Sequence, residues 1–253
     1  MRREFRVAGQ AEPISHFTDA VQAGDLLFVS GIVPVDERRE LVGGDDVVAQ
    51  ARCVFENMRQ VLAAACCTFA DVVKVTLYLT DVADRPLVNP VRQEVFGETR
   101  PASTRRGAGA RHPRREAGGR GRGAGAVVRE EIHLPARPVL SHSADAVRAG
   151  GLLFVAGILP VDAAGGLVGG DDVGAQAEHV FAELGEILAA GGCGFADVAR
   201  VNVFLTDVAD RPLVNPVRQR LFGEARPAST LVEVSGLAVA GARIEVDAVA
   251  VAR

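Results

Sequence analysis

The stretch TDVADRPLVNPVRQ, residues 80–93, returns without a single change at residues 206–219. Two other stretches return at the same spacing. GDLLFVSGIVPVD (24–36) becomes GGLLFVAGILPVD (150–162), and FGETRPAST (96–104) becomes FGEARPAST (222–230). A period this long that is present twice indicates two tandem domains, because solenoids repeat a much shorter unit several times.

Each copy predicts the same order of elements. Short apolar runs such as LLFV, which end at a glycine, predict strands. An aspartate pair, Asp45-Asp46 or Asp171-Asp172, then precedes a long segment with apolar residues at helical spacing, and this predicts a capped helix. An alternating strand, a shorter helix over LVNPVRQ and two final strands complete the second copy. The prediction is an α+β fold in which a ββαβαββ sheet carries two helices on one face.

The composition indicates an ordinary globular protein. A chain of 253 residues is long enough for two small domains, each with its own core, and a net charge of −4 gives no drive towards nucleic acid or anionic membranes. No apolar run approaches the roughly 18 residues that span a bilayer. The four cysteines have neither disulfide-framework nor zinc spacing. We therefore expect a cytoplasmic protein with no membrane association and no bound metal.

The first copy departs from the second after Thr104. Residues 105–123 contain seven arginines and only one acidic residue, Glu116. One interpretation is a disordered arm that binds RNA through phosphates and stacking. The other is a frameshift, because codons read one base later permit the strand motif of the second copy. We favour the frameshift and do not expect nucleic-acid binding.

The frameshift interpretation sets the predicted domain boundaries. Residues 1–104 form a first domain that lacks its last two strands. Residues 105–135 form a disordered or frameshifted linker, and residues 136–253 form a complete second domain.

Several motifs in a fixed order resemble the Rid/YjgF family of reactive-intermediate deaminases. They are Gly-x-x-Pro-Val, a helix with Gln50 or Gln176, Asp-Val-x-(Lys/Arg)-Val, Val-Asn, Arg-Pro-Ala and the final Ile-Glu-Val-Asp-Ala-Val. The resemblance covers about 140–252 and about 14–104. It implies a chorismate-mutase-like fold and trimer-like packing of domains with clefts between them. It also implies hydrolysis of small enamines or imines without a cofactor.

The residues that the resemblance implies for the site are only partly present. The substrate-binding arginine expected after Pro-Ala is replaced by Ser103 and Ser229, and the tyrosine expected before the first strand by Phe17 and Ser143. The asparagine of the shorter helix and the acidic residue of the last strand remain. The candidate catalytic residues are therefore Glu245 and Ser229. The candidate substrate-binding residues are Asn215, Ser143, Thr230, Asn89, Ser103 and Phe17.

Three functions follow from these observations. The first is a hydrolytic deaminase of small enamine or imine metabolites, with no cofactor and with homo-oligomeric packing. The second is an inactive homologue that binds small metabolites, because the arginine is missing. RNA binding through residues 105–123 is the least favoured. The sequence leaves open whether the protein is an enzyme, and any activity is expected first in the second copy.

Overall fold

The computed structural model describes residues 2–8, 11, 18–107, 118–119, 129–135 and 142–252. The first copy contains β1 (Arg2–Phe5), β2 (Ala20–Ala23), β3 (Leu26–Val29), α1 (Val47–Ala64), β4 (Lys74–Leu79), α2 (Arg85–Phe96), β5 (Ala102–Gly107) and β6 (Gly118–Gly119). The second contains β7 (Glu130–Ile132), β8 (Ala146–Ala149), β9 (Leu152–Val155), α3 (Val173–Ala190), β10 (Val198–Leu205), α4 (Arg211–Phe222), β11 (Ala228–Glu233), β12 (Gly236–Leu237) and β13 (Ile244–Val251). None of the described helices has the length and apolar character needed to cross a bilayer.

Aspartates begin the long helices as the sequence predicts. The Asp46 side chain accepts hydrogen bonds from the backbone N–H groups of Val48 (2.9 Å) and Ala49 (3.1 Å), and Asp172 accepts one from Ala175 (3.1 Å). These bonds satisfy N–H groups that the first helical turn leaves without a partner. The N-caps predicted from the sequence are confirmed in both copies.

The second copy forms one six-stranded sheet in the order β11-β10-β13-β9-β8-β7. Its last strand, β13, lies at the centre and joins β9 to β10 through antiparallel pairing. The apolar face of α3 packs on one side of this sheet through the buried side chains of Val180, Phe181 and Leu184. The α+β fold with helices on one face is confirmed for this copy.

The first copy has the same helices, but its sheet is split into two parts. One part has the order β1-β2-β3-β6, and the other, β12-β5-β4, includes a strand from the second copy. Among the described residues no strand joins β3 to β4, which is the position that β13 occupies in the second copy. Residues 108–117 and 120–128, where the expected strands would continue, lie outside the described residues.

Two details differ from the expected domain limits. Of the two strands expected to be missing from the first copy, the first is present as β5. It starts with the same Ala-Ser-Thr as β11 and pairs with β4 in parallel through backbone groups. In addition, β7 lies inside the predicted linker 105–135 and pairs with β8, with Ile132 buried. A three-residue strand with one buried apolar residue is too short to produce an alternation pattern in the sequence.

The two copies pack against each other through different surfaces. Val73 and Ala102 of the first copy share an apolar cluster with Ala144, Val147 and Phe154 of the second. Strand β12 also crosses to the first copy and pairs with β5 in antiparallel register. The outer face of β4 and β5 is therefore covered by the second copy, and this contact positions the candidate site.

Candidate functional site between the two copies

An ion pair lies at the centre of the contact between the copies. The ammonium of Lys74 is 3.3 Å from Oδ1 of Asp247 and donates to the backbone carbonyl of Val155 at 3.2 Å. The hydroxyl of Thr104 donates to the other oxygen of Asp247 at 3.0 Å, and Asn202 donates to Oδ1 at 2.6 Å. Lys74 and Asp247 are both about 1% exposed. A buried charge pair is tolerated only when its remaining hydrogen-bonding capacity is used, and this network meets that condition.

Glu245 lies two residues before Asp247, and since side chains two apart on a strand share a face, it also points towards the first copy. Its side chain is 2% exposed. The carboxylate lies against Gly157, where a β-carbon would be only 1.9 Å from Oε1 of Glu245 and 3.1 Å from Cγ2 of Thr104. The N–H of Gly157 donates to the carbonyl of Ser103 at 3.0 Å. A glycine at position 157 therefore allows the carboxylate to reach the strand of the first copy.

Arg92 approaches the same place from α2 of the first copy. Its guanidinium is fully buried, and Nη2 donates to Oγ of Ser103 at 3.1 Å and to the carbonyl of His142, in the second copy, at 3.5 Å. The ring of Phe96 lies 5.9 Å from the guanidinium carbon. Burial, and to a lesser degree the neighbouring charge of Arg85, lowers the pKa of Arg92 to about 10, so the group remains a cation at neutral pH.

Arg85 is a second arginine of the first copy at this contact. Its Nη1 donates to the carbonyl of Ala238 in the second copy at 2.8 Å. Burial lowers the pKa of Arg85, and the nearby Glu245 carboxylate opposes this shift. Arg85 of the first copy is therefore a charged neighbour of both the Glu245 carboxylate of the second copy and the Arg92 guanidinium. Such a group of side chains can bind an anionic ligand and move a proton next to it.

The equivalent place in the second copy is open. Arg218 is the counterpart of Arg92, and its Nη2 donates to Oγ of Ser229 at 2.7 Å, as Arg92 does to Ser103. Ser229 and Thr230 are exposed, whereas Ser103 and Thr104 are buried. The local sequence is the same in both copies. The difference arises because the second copy covers β5, whereas β11 is largely exposed.

The two candidate catalytic residues are not brought together. Ser229 pairs with Val201 and Glu245 pairs with Phe204 on the shared neighbour β10. Val201 and Phe204 are an odd number of residues apart, so their side chains, and those of their partners, point to opposite faces of the sheet. Glu245 instead lies against Gly157, close to Thr104 of the first copy. The candidate site is therefore shared between the copies, whereas the sequence placed both candidate catalytic residues in the second copy and predicted any activity there first.

The remaining predicted residues surround this place or lie elsewhere. Ser143 is half-buried and follows His142, the residue whose carbonyl accepts from Arg92. Asn89 and Asn215 are half-buried on α2 and α4. Phe17 lies outside the described residues. Within the described part of the chain, no three metal-ligating side chains come together.

The sequence patterns did not predict four residues of this candidate site: Arg85, Arg92, Lys74 and Asp247. A signal existed for Arg92, because it lies in the apolar stripe of α2 with Val88, Val91 and Phe96, all buried. A charged residue in a buried helical stripe is uncommon without a partner or a function. The repeat strengthens this signal, since the second copy keeps an arginine at the equivalent position.

Comparison with known proteins divides the chain into the same two copies. The sequence model of the family described as Endoribonuclease L-PSP matches residues 8–114 and again residues 134–252. The 3-aminoacrylate deaminase RutC of Acinetobacter baylyi is 38% identical over 94 residues, which are 37% of this chain and 75% of that protein. The 2-iminobutanoate/2-iminopropanoate deaminase of Bos taurus is 34% identical over 99 residues, 39% of this chain and 72% of that protein. The solved YjgF gene product of E. coli is 29% identical and covers 49% of this chain and 99% of its own, with a TM-score of 0.45.

Proposed function

The chain belongs to the Rid/YjgF family, the proteins that the Endoribonuclease L-PSP model describes, and from this premise we propose that it hydrolyses small enamines or imines to carbonyl compounds and ammonia. The reaction takes place between the two copies and uses Glu245 as the proton-transfer group. Relatives whose names state such a deaminase activity are 34–38% identical to parts of this chain. A shared fold alone does not support an activity, and the support comes from the residues between the copies.

The observation that supports the proposal is the buried Glu245 carboxylate, which lies close to Arg85 of the opposite copy. An enamine first takes a proton from solvent on carbon and becomes an iminium ion. Water then adds to the iminium carbon and gives a proton to the Glu245 carboxylate, which leaves a neutral carbinolamine. Glu245 returns this proton to nitrogen, the C–N bond breaks, and ammonia leaves with the electron pair of that bond. The hydroxyl oxygen gives its proton back to solvent as the carbonyl forms. A positioned acid–base group of this kind contributes about 10²–10⁴-fold to a rate.

The test is the rate of ammonia release from freshly generated 2-aminoacrylate, compared with its spontaneous decay in buffer. We expect acceleration by the unmodified protein. Glu245→Gln should reduce that acceleration by about 100-fold or more. The matched control is Glu224→Gln, because Glu224 is an exposed glutamate of the same copy and should behave as the unmodified protein.

Two results would contradict the proposal. One is folded protein that gives no acceleration over buffer, which would favour an inactive homologue that binds small metabolites. The other is a Glu245→Gln variant that keeps full activity. A folded Glu245→Gln protein, checked by circular dichroism, is required for the second comparison.

A further inference from the structure

The guanidinium of Arg92 has unused hydrogen-bonding capacity in a buried place. Its Nε and Nη1 have no acceptor among the described residues, although the side chain is fully buried. The contacts of Nη2 are a neutral hydroxyl and a carbonyl at 3.5 Å, the outer limit of a hydrogen bond. Burying a cation without a matching anion is costly, and proteins keep such arrangements mainly where a function requires them.

The position of this cation is informative. Ser103 stands at the position where the Rid/YjgF resemblance implies a substrate-binding arginine, and Arg92 places its guanidinium on the hydroxyl of that serine. The positive charge that is missing from β5 is thus supplied by α2. The same pair, Arg218 with Ser229, occurs in the second copy, so the exchange is present twice in this chain.

We propose that Arg92 binds the carboxylate of the ligand between the two copies, in place of the arginine missing from β5. The ligand class is then a small 2-imino or 2-enamino acid, together with the 2-oxo acid that its hydrolysis yields. A carboxylate accepts from the unused N–H groups of Arg92 and neutralises the buried charge. Arg218 does not form such a site within one chain, because it is only half-buried and the serine it binds, Ser229, is exposed.

The inference rests on the proposed function only for the imine or enamine group of the ligand. The carboxylate site is therefore tested by ligand binding, without turnover. The probe is 2-oxobutanoate, and the ligand control is 2-butanone, which has the same carbonyl but no carboxylate. Isothermal titration calorimetry measures both with the full-length protein. We expect 2-oxobutanoate to bind about 10- to 100-fold more tightly, as expected for hydrogen bonds to a charged group.

The two arginines provide a matched pair of variants. Arg92→Gln should weaken 2-oxobutanoate binding by about 10- to 100-fold and leave the weak binding of 2-butanone unchanged. Arg92→Lys retains the charge but loses the planar guanidinium, so its affinity should lie between the two. Arg218→Gln should bind as the unmodified protein does, within about twofold.

Several results would overturn the inference. They are equal affinity of the unmodified protein for 2-oxobutanoate and 2-butanone, no binding of 2-oxobutanoate at millimolar concentration, and equal losses in Arg92→Gln and Arg218→Gln. Circular dichroism establishes that each variant is folded. If Arg92→Gln does not fold, the comparison of the two ligands and the Arg92→Lys variant still decide the matter.

The failure of this inference is distinguishable from the failure of the proposed function. Binding that depends on Arg92, without any acceleration of ammonia release, would contradict the deaminase and leave the carboxylate site. Ammonia release that depends on Glu245, with unchanged binding in Arg92→Gln, would contradict the carboxylate site and leave the deaminase.

Discussion

Replacing Thr104 by valine would remove one donor from the carboxylate of Asp247 at the contact between the copies. The hydroxyl and the carboxylate oxygen are 3.0 Å apart, and both residues are about 1% exposed. Valine has nearly the same shape as threonine, so the variant removes the hydrogen bond without leaving a large cavity. Asp247 keeps its contacts with Lys74 and Asn202, which limits the effect.

The expected cost follows from the kind of bond that is lost. A hydrogen bond to a charged group is worth about 1.5–3 kcal/mol, and the additional apolar burial of valine offsets part of that. We expect the free energy of unfolding to fall by about 1–2 kcal/mol. For a chain of this size, that corresponds to a fall in Tm of about 2–8 °C.

Thr230 provides the matched control, because it is the same residue of the repeat in an exposed position. Thr230→Val should change the free energy of unfolding by no more than about 0.5 kcal/mol. Urea unfolding followed by circular dichroism measures both variants. In an Asp247→Asn background, Thr104→Val should cost clearly less, since residues in one network are not additive. Equal effects of the two threonine variants would refute the described packing of the copies, and with it the shared site.

Two further predictions concern backbone positions. Cys66 follows α1 with a left-handed φ of +57°, and the equivalent residue of the second copy is Gly192, with a φ of +69°. Cys66→Gly should therefore raise the free energy of unfolding by about 1 kcal/mol, as measured by urea unfolding. A loss of stability would contradict this. Gly157→Ala places a methyl group where Glu245 lies. It should give a folded protein whose ammonia-release rate is about 100-fold lower, and unchanged activity would show that the carboxylate does not need this close approach.

The repeat made much of the fold predictable, because each element could be derived from two sequences. The N-caps at Asp46 and Asp172 and the apolar face of α3 followed from local patterns that hold in both copies. These features depend on residues near in sequence, which local rules describe well. The short strand β7 was missed, since its pairing with β8 is not encoded in its three residues.

The composition of the site was less predictable, for a physical reason. Ser103 and Ser229 lie in identical Arg-Pro-Ala-Ser-Thr stretches, but one serine is buried and the other is exposed. Their surroundings differ because the second copy covers Ser103, whereas Ser229 is left exposed. Neither stretch of sequence carries that information. The family resemblance predicted Glu245 as a site residue, but it did not predict that the arginines of this contact, Arg85 and Arg92, would lie on helix α2.

The shared site has a consequence for how the two halves of the gene evolve. The site takes its basic side chains from the first copy, all of them before Arg105, and its carboxylate from β13 of the second. Mutations after Thr104 in the first copy, and mutations around Arg218 in the second, leave these groups in place. We therefore expect purifying selection to fall on different segments of the two repeats, residues 74–104 in the first and β13 in the second. We also expect the gene to tolerate a shift of the reading frame near residue 105 better than one earlier in the first repeat.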